Sequence, residues 1–323
     1  MAEPNSPYSR NLTNGPPPFW NVNSLGQTYG LEPNYPCCTV NHPQGYPKFL
    51  SASFVGVGDN GLGHALLSPA TVSTTLGGEN KVSVSCDTNY PFGDTLVYTI
   101  NVDKPFEFYV RVPDWYVAEA SSISNGGKSQ SLSPDTSTGM HMISVASGKS
   151  TVTYTLGANI VVQPRDNDTV AVRHGALLYG LEIGEYTTAE PAKDWQNKTA
   201  YPSGYAPPEV HDYTIENTTA WNLAIDPSTL KVHLQGPSNS SETQPLPNPI
   251  FTAGASPVSM SLQACEIAWP LWRGLPDIPP KVKDRKCIGE PFEATLIPYG
   301  SAKLHMAEFP TLDLQGNPDV ILE

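Results

Sequence analysis

The chain has 323 residues, enough for two domains of ordinary size, each with its own core. Its formal net charge of −13 and its pI near 4.9 argue against nucleic acids and anionic membranes as partners, because both require basic surfaces. No apolar stretch approaches the ~20 residues of a membrane span. Charged residues make up only 15% of the chain while prolines number 33, which is typical of a loop-rich β protein.

The first 50 residues are too rich in proline for a long helix, and they contain two adjacent cysteines, Cys37 and Cys38. Neighbouring cysteines rarely bridge each other, because a disulfide needs Cα atoms ~4.4–6.8 Å apart and a particular dihedral angle. The pair therefore indicates thiolate chemistry or soft-metal binding. The alternative is two small buried side chains, or two half-cystines with distant partners. The N-terminus lacks the basic and apolar regions of a signal peptide.

Strands are predicted from about residue 50 onward. Short apolar runs at 54–57 and 64–67, separated by a turn containing Asn60-Gly61, predict a β-hairpin. Two longer runs, at 96–102 and 106–112, alternate apolar and polar residues with period two. The three residues between them predict a second antiparallel hairpin with one packed face.

Further strands are predicted near 152–156, 170–172 and 177–181, and the Pro- and Thr-rich segment 187–210 is interpreted as a linker. Apolar alternation resumes after it, near 221–225, 230–234, 258–262 and 292–297. The pattern predicts an all-β fold with two β-sandwich-like domains, at 51–186 and 211–323.

The five cysteines include three beyond the pair. Cys86 continues the apolar face of its strand and is predicted to lie in the core. Cys265 and Cys287 could form a disulfide or stay free, and the bridge is favoured if the protein is secreted. Five Asn-x-Ser/Thr sequons, which also arise by chance in such a composition, stand at Asn11, Asn167, Asn197, Asn217 and Asn239.

Other residues that could carry chemistry have simpler interpretations. The histidines are scattered among strands and loops and are interpreted as packed or solvated side chains. Two carboxylate pairs, Glu182 with Glu185 and Glu290 with Glu293, are of the kind that glycosidases use, but sequence alone does not distinguish them from ordinary loop charges.

Several segments, taken in order, resemble one family, the β-L-arabinofuranosidase-like glycoside hydrolases of family 127. Residues 37–41 resemble its Cys-Cys-x-x-Asn motif, and 108–115 resemble its strand ending in Arg-hydrophobic-Pro-x-Trp. Residues 172–182 resemble its Arg-x-Gly-Pro-Leu-Val-Tyr-x-Leu-Glu segment, with Ala176 in place of the proline. Residues 296–300 and 308–310 resemble its C-terminal strands.

The resemblance implies an (α/α)6 barrel followed by β-sandwich domains, with residues 1–50 as a short remnant of the barrel. It also implies a zinc ion held by three cysteines and one glutamate. Cys37 would then be both nucleophile and zinc ligand, and Cys38 a zinc ligand. Zinc would keep the thiol ionised and oriented for attack on the anomeric carbon, giving a glycosyl-thioether, with a separate glutamate as acid/base.

The family's Glu-x-Cys ligands and acid/base glutamate lie upstream of the cysteine pair, where this chain has only 36 residues. We therefore expect the sandwich portion of such an enzyme, from a truncated gene model, inactive alone. The parent is expected to be a secreted, fungal-type glycoprotein that acts on plant or fungal glycans with arabinofuranosyl residues. The alternative is a non-catalytic β-sandwich accessory or carbohydrate-binding protein in which the cysteine pair is a relic.

Overall fold

A computed structural model describes residues 41–191, 193, 199–200, 211–234, 246–252, 254–272 and 275–314. The all-β prediction is confirmed, because strands dominate and the α-helix among the described residues, Gly45–Ser51 (α1), has only seven residues. The predicted barrel remnant falls mostly on residues 1–40, outside the described part. No helix in the described ranges is long and apolar enough to cross a membrane.

The first half of the chain forms two sheets. The smaller sheet has the order β1-β2-β6-β9, and its strands are Phe54–Val57 (β1), Gly61–His64 (β2), Phe106–Arg111 (β6) and Met140–Val145 (β9). The larger has the order β3-β4-β5-β10-β7-β8, and its strands are Ala70–Leu76 (β3), Asn80–Thr88 (β4), Thr95–Val102 (β5), Gly148–Thr155 (β10), Ser122–Asn125 (β7) and Lys128–Gln130 (β8). Every pairing is antiparallel except that of β2 with β6.

The two sheets share one hydrophobic core, to which both contribute aromatic side chains. Tyr98 of β5 and Phe108 of β6 are fully buried, with ring centroids 5.0 Å apart. Cys86 lies in this core, as predicted, and is the free cysteine of the described residues. Two sheets packed face to face around alternating apolar residues make this half a β-sandwich.

The predicted hairpin of β1 and β2 is confirmed, since Phe54 pairs with His64 in antiparallel register. Its turn lies at 58–60, one residue earlier than the Asn-Gly signal suggested. Gly58 there has φ 58°, a left-handed conformation that favours glycine. Gly61 already belongs to β2, where an added Cβ would lie 2.4 Å from the carbonyl oxygen of Val57.

The predicted hairpin of β5 and β6 is wrong. β5 pairs with β4 and β10, whereas β6 pairs with β2 and β9, so residues 103–105 cross from one sheet to the other. The prediction of one packed face in each strand holds, because both strands direct alternate side chains into the same core from opposite sides. Period-two alternation reports which face is buried but not which strand is the neighbour.

A buried asparagine fixes this crossing. The side-chain oxygen of Asn80 accepts from the backbone N–H of Lys104 at 2.8 Å, and its amide donates to the Lys104 carbonyl at 3.0 Å. Asn80 is only 5% exposed. Lys104 belongs to neither sheet, so its backbone N–H and C=O have no partner strand. The two bonds from Asn80 satisfy these groups instead.

The third sheet unites strands from both predicted domains. It has the order β11-β12-β13-β20-β17-β16, with β21 beside β12, and its strands are Ile160–Arg165 (β11), Thr169–His174 (β12), Leu177–Leu181 (β13), Phe292–Pro298 (β20), Val258–Glu266 (β17), Leu223–Leu234 (β16) and Phe309–Pro310 (β21). The predicted 51–186 domain placed β11–β13 with the first sandwich, whereas their ladder partners are C-terminal strands. A separate second sandwich made by 211–323 is therefore not what the described residues form.

Two small ribbons complete the described structure. Glu185–Pro191 (β14) pairs with His211–Asn217 (β15), and Leu271–Trp272 (β18) pairs with Leu275–Pro276 (β19). The predicted linker 187–210 thus begins inside a strand. A disulfide joins Cys265 of β17 to Cys287, the bridge favoured for a secreted protein.

Candidate functional site

The predicted site residues Cys37 and Cys38 lie outside the described residues, so no geometry can be assigned to them. The first described element after them is a 3-10 turn at His42–Gln44, followed by α1. Both are exposed throughout, and α1 presents Tyr46, Phe49 and Leu50 to solvent.

The zinc expected from the resemblance was tested against the donors available. A structural zinc site takes four protein ligands and a catalytic one takes three. Two adjacent thiols supply two, and the described ranges contain no group of three or more His, Cys, Asp or Glu that could hold a metal ion. The described residues by themselves therefore do not form a zinc site.

A pocket of about 310 Å³ lies where the first sandwich meets the third sheet. Its walls come from four separate places in the chain: the segment after β2, the loop between β4 and β5, the end of β6, and the β12–β13 turn. The lining residues are Ala65, Leu66, Leu67, Tyr90, Arg111, Pro113, Asp114, Trp115, Arg173, Gly175 and Ala176. A different, shallower depression on β7 and β10 has Lys149 as its charged side chain among small residues.

Two residues in the pocket walls have a left-handed backbone conformation. Leu67 has φ 56° although it is not glycine, and its side chain is buried in the core of the sandwich, which holds this unfavourable backbone in place. Gly175 also has φ 56°, and a Cβ there would lie 3.5 Å from the indole of Trp115. The β12–β13 turn therefore packs closely against the ring of Trp115.

The charged groups of the pocket are two arginines and one aspartate, Asp114. Arg111 ends β6 and Arg173 is on β12, so the two guanidinium groups come from different sheets. The Nε of Arg173 donates to Gln163 at 3.2 Å. Burial raises the pKa of Tyr90, and the positive charge of Arg111 opposes that rise.

The fold brings together the segments that carry the family resemblance. Residues 111–115 and 173–176 line this one pocket, although they belong to different sheets. The 296–298 strand pairs with β13, with Leu181 opposite Leu296. Phe309, in the last of the segments, pairs with Val170 of β12. Four segments that are distant in sequence are therefore neighbours around β12 and β13.

The histidines do not assemble into a site within the described residues, in line with their interpretation as packed or solvated side chains. His64 is fully buried and stacks on Phe54, with ring centroids 4.3 Å apart. Its Nε2 lies 3.0 Å from the hydroxyl of Ser53 and its Nδ1 lies 2.9 Å from that of Tyr98. Burial lowers the pKa of His64 to about 4. A Ser-His contact with no exposed surface stabilises the core and is closed to substrate.

The two carboxylate pairs are not arranged as a buried acid/base site. Glu182, Glu290 and Glu293 are exposed, and Glu185 is half-buried on β14. A glycosidase acid is usually held in surroundings that raise its pKa, which an exposed carboxylate lacks. We assign none of the four to acid/base catalysis.

No protein-family model matches the sequence, and no curated protein matches it either. Among solved structures, the fold is similar to that of a GH127 β-L-arabinofuranosidase from Geobacillus stearothermophilus T6, with a TM-score of 0.51 and 15% identity over 82% of this chain. It is also similar to a structure described as a glycoside hydrolase, with a TM-score of 0.54 and 14% identity over 90% of this chain. The chain spans 35% and 42% of those two proteins.

These likenesses show the fold, and they agree with the family resemblance for the β-sheet part of the chain, whereas the expected barrel remnant is not confirmed. Sequence reasoning quoted Arg111, Trp115 and Arg173 only as parts of motifs and gave them no role. One sequence signal could have indicated the pocket: near the ends of two predicted strands an arginine is followed closely by Trp or Gly, as Arg111 is by Trp115 and Arg173 is by Gly175. Their meeting depends on how the third sheet packs against the sandwich, which no local pattern reports.

Proposed function

We propose that this chain is part of a retaining glycoside hydrolase that acts on plant or fungal glycans with β-L-arabinofuranosyl residues. The observation that carries the proposal is the likeness of its fold to two glycoside hydrolases over 82% and 90% of its length. The order of the sequence segments, from the Cys37-Cys38 pair to residues 308–310, adds independent support.

In the proposed reaction Cys37 is the nucleophile. Its thiolate forms a C–S bond to the anomeric carbon while the glycosidic C–O bond breaks and the leaving oxygen takes a proton from an acid. Water then attacks the same carbon and gives a proton back to the conjugate base of that acid, the C–S bond breaks, and the thiolate is restored. Two inversions give net retention. Cys38 is proposed as its companion metal ligand, and zinc as the metal, on the resemblance alone.

A second candidate function is non-catalytic carbohydrate binding. The pocket at the sandwich–sheet junction favours it, because aromatic rings beside arginine and aspartate are the polar and apolar groups that orient small ligands. The two candidates make opposite predictions for turnover by a protein extended upstream of Met1, and they share a glycan as the partner.

The first test measures zinc by elemental analysis and turnover of 4-nitrophenyl β-L-arabinofuranoside. For this chain alone we expect well under one zinc per chain and no turnover, because two adjacent thiols supply only two ligands, the described residues contain no group of three or more that could hold a metal ion, and none of the four paired glutamates is a buried acid. Stoichiometric zinc, or turnover that Cys37→Ser abolishes, would show that this chain completes the site by itself.

The second test concerns the coding DNA upstream of Met1. If the reading frame continues, the extended protein should hydrolyse the substrate, Cys37→Ser should abolish that activity, and Cys86→Ser should leave it intact. An extended, folded protein without activity would contradict the hydrolase proposal. A reading frame that does not continue would favour the non-catalytic candidate.

We also propose that the parent protein is secreted. The Cys265–Cys287 disulfide supports this, because disulfides persist mainly in oxidising compartments. Of the two described sequons, Asn217 is exposed, whereas Asn167 is half-buried with its amide donating to the Pro279 carbonyl. A mass shift on deglycosylation, after expression in a eukaryotic secretory host, tests the proposal at Asn217 and at the sequons outside the described residues.

A further inference from the structure

The junction pocket concentrates positive charge in an acidic protein. The chain carries a net charge of −13, yet Arg111 and Arg173 line the same pocket of about 310 Å³. Among the described residues neither arginine is within ion-pair distance of a carboxylate, and this includes Asp114 in the same pocket. All three of Arg111, Arg173 and Arg165 of β11 are exposed, but Arg165 pairs with Glu308 at 2.9 Å.

Arginine groups placed in this way favour a planar anion. A guanidinium binds a carboxylate through two parallel N–H···O bonds, which a lysine cannot reproduce. The two arginines approach from different sheets, so a carboxylate between them would be contacted from two sides. The Nε of Arg173 is already used by Gln163, which orients its terminal nitrogens.

The remaining lining suits the body of a sugar. Trp115 and Tyr90 are half-buried and offer aromatic surface for the C–H faces of a ring. Asp114 can accept hydrogen bonds from sugar hydroxyls, and its charge would oppose a multiply charged anion such as phosphate or sulfate. The volume lies at the lower end of the ~300–1,000 Å³ of small-molecule sites, which fits one monosaccharide unit.

We propose that this pocket binds a carboxylate-bearing sugar, the uronate unit of an acidic glycan. Its carboxylate lies between Arg111 and Arg173, its ring against Trp115, and its hydroxyls within reach of Asp114. The proposal rests on the proposed function only in taking a glycan as the partner. It requires no hydrolysis, so it can fail or succeed independently of the activity of Cys37.

The test is a binding measurement by calorimetry or NMR titration on the intact chain. The ligands are methyl galacturonoside, its methyl ester, and methyl galactoside, which differ in charge and in the C6 group. The variants are Arg111→Gln and Arg173→Gln, each of which removes one charge but retains most of the side chain. Arg165→Gln is the matched control, because it removes an equal charge outside the pocket.

We expect the uronoside to bind in preference to both neutral ligands, and each pocket variant to weaken it by about tenfold or more, as for loss of a charge-assisted hydrogen bond. Arg165→Gln should bind like the wild type, and circular dichroism should show every variant folded. Equal binding of charged and neutral ligands, no binding at all, or full competition by sulfate would each overturn the proposal. Weakening by Arg165→Gln equal to that of the pocket variants would do so as well.

Discussion

At the scale of single residues, His64 makes stability depend on pH. It is buried between the two sheets of the sandwich, where burial lowers its pKa to about 4 from 6.5, with a hydrogen bond from its ring to the backbone of Ser68 acting in the opposite direction. The unfolded chain therefore binds a proton between pH 6.5 and 4 that the folded chain does not. The stabilisation is fully present above pH 6.5 and is lost as pH falls through that window.

We expect the lowered pKa of His64 to make the free energy of unfolding about 2 kcal/mol smaller at pH 5 than at pH 7. Urea denaturation of the wild type and of His64→Gln at both pH values measures it. Gln can still form a hydrogen bond but does not titrate, so the variant should be less stable at pH 7 yet lose less on acidification. His141 and His174, whose pKa values burial also lowers, remain in both proteins and cancel in the comparison. Parallel losses in the two proteins would show that His64 is not the titrating group.

The alternation of apolar and polar residues predicted which side chains are buried, but it did not predict which residues they contact. The buried position of Cys86 followed from its strand pattern and is confirmed. The contact of His64 with Ser53 and Tyr98 could not be predicted, because Tyr98 belongs to the opposite sheet. A period of two assigns a side chain to a face, whereas a hydrogen-bond partner depends on tertiary packing.

At the scale of elements, the crossing between β5 and β6 shows the same limit and offers a test. The strands, their facing and the short connection at 103–105 were all predicted, and only the pairing was wrong. Asn80→Ala removes the side chain that bonds both backbone groups of Lys104. We expect a loss of about 1–3 kcal/mol, because buried polar backbone is left unsatisfied.

Chemical denaturation compares Asn80→Ala with Asn101→Ala, an exposed position on β5. The control should change the unfolding free energy by no more than about 0.5 kcal/mol, as is usual for surface positions. If the two variants were equally stable, Asn80 would not be what fixes the crossing.

At the scale of the whole molecule, the sequence predicted an all-β chain and the family resemblance, but not how its sheets divide the chain. Strands β11–β13 carry the same apolar patterns whether they close a first sandwich or join C-terminal strands, so the limit drawn at residue 186 rested on the composition of segment 187–210 and not on the strands themselves. The pocket depends on that arrangement, since Arg111 and Arg173 belong to different sheets and line one pocket only where the third sheet meets the sandwich. The sequence patterns therefore did not predict which distant strands pair with each other.

The Cys265–Cys287 bridge gives a last prediction for the molecule as a whole. It closes a loop with a sequence separation of 22 residues and links the end of β17 to the segment before β20. Constraining a loop of that length in the unfolded chain is worth about 3 kcal/mol. That is a large share of the ~5–15 kcal/mol that stabilises an ordinary domain.

We expect the oxidised protein to lose about that amount on reduction, measured by urea denaturation with and without a thiol reductant. A Cys265→Ala/Cys287→Ala variant should match the reduced wild type and respond to reductant no further. Cys86→Ala is the control, because its thiol is buried and unpaired with sulfur, so reductant should destabilise that variant as much as it does the wild type. An unfolding midpoint that reduction leaves unchanged in the wild type would mean that the bridge contributes nothing to stability. The chain would then fold equally well in a reducing compartment, and the disulfide would no longer support secretion.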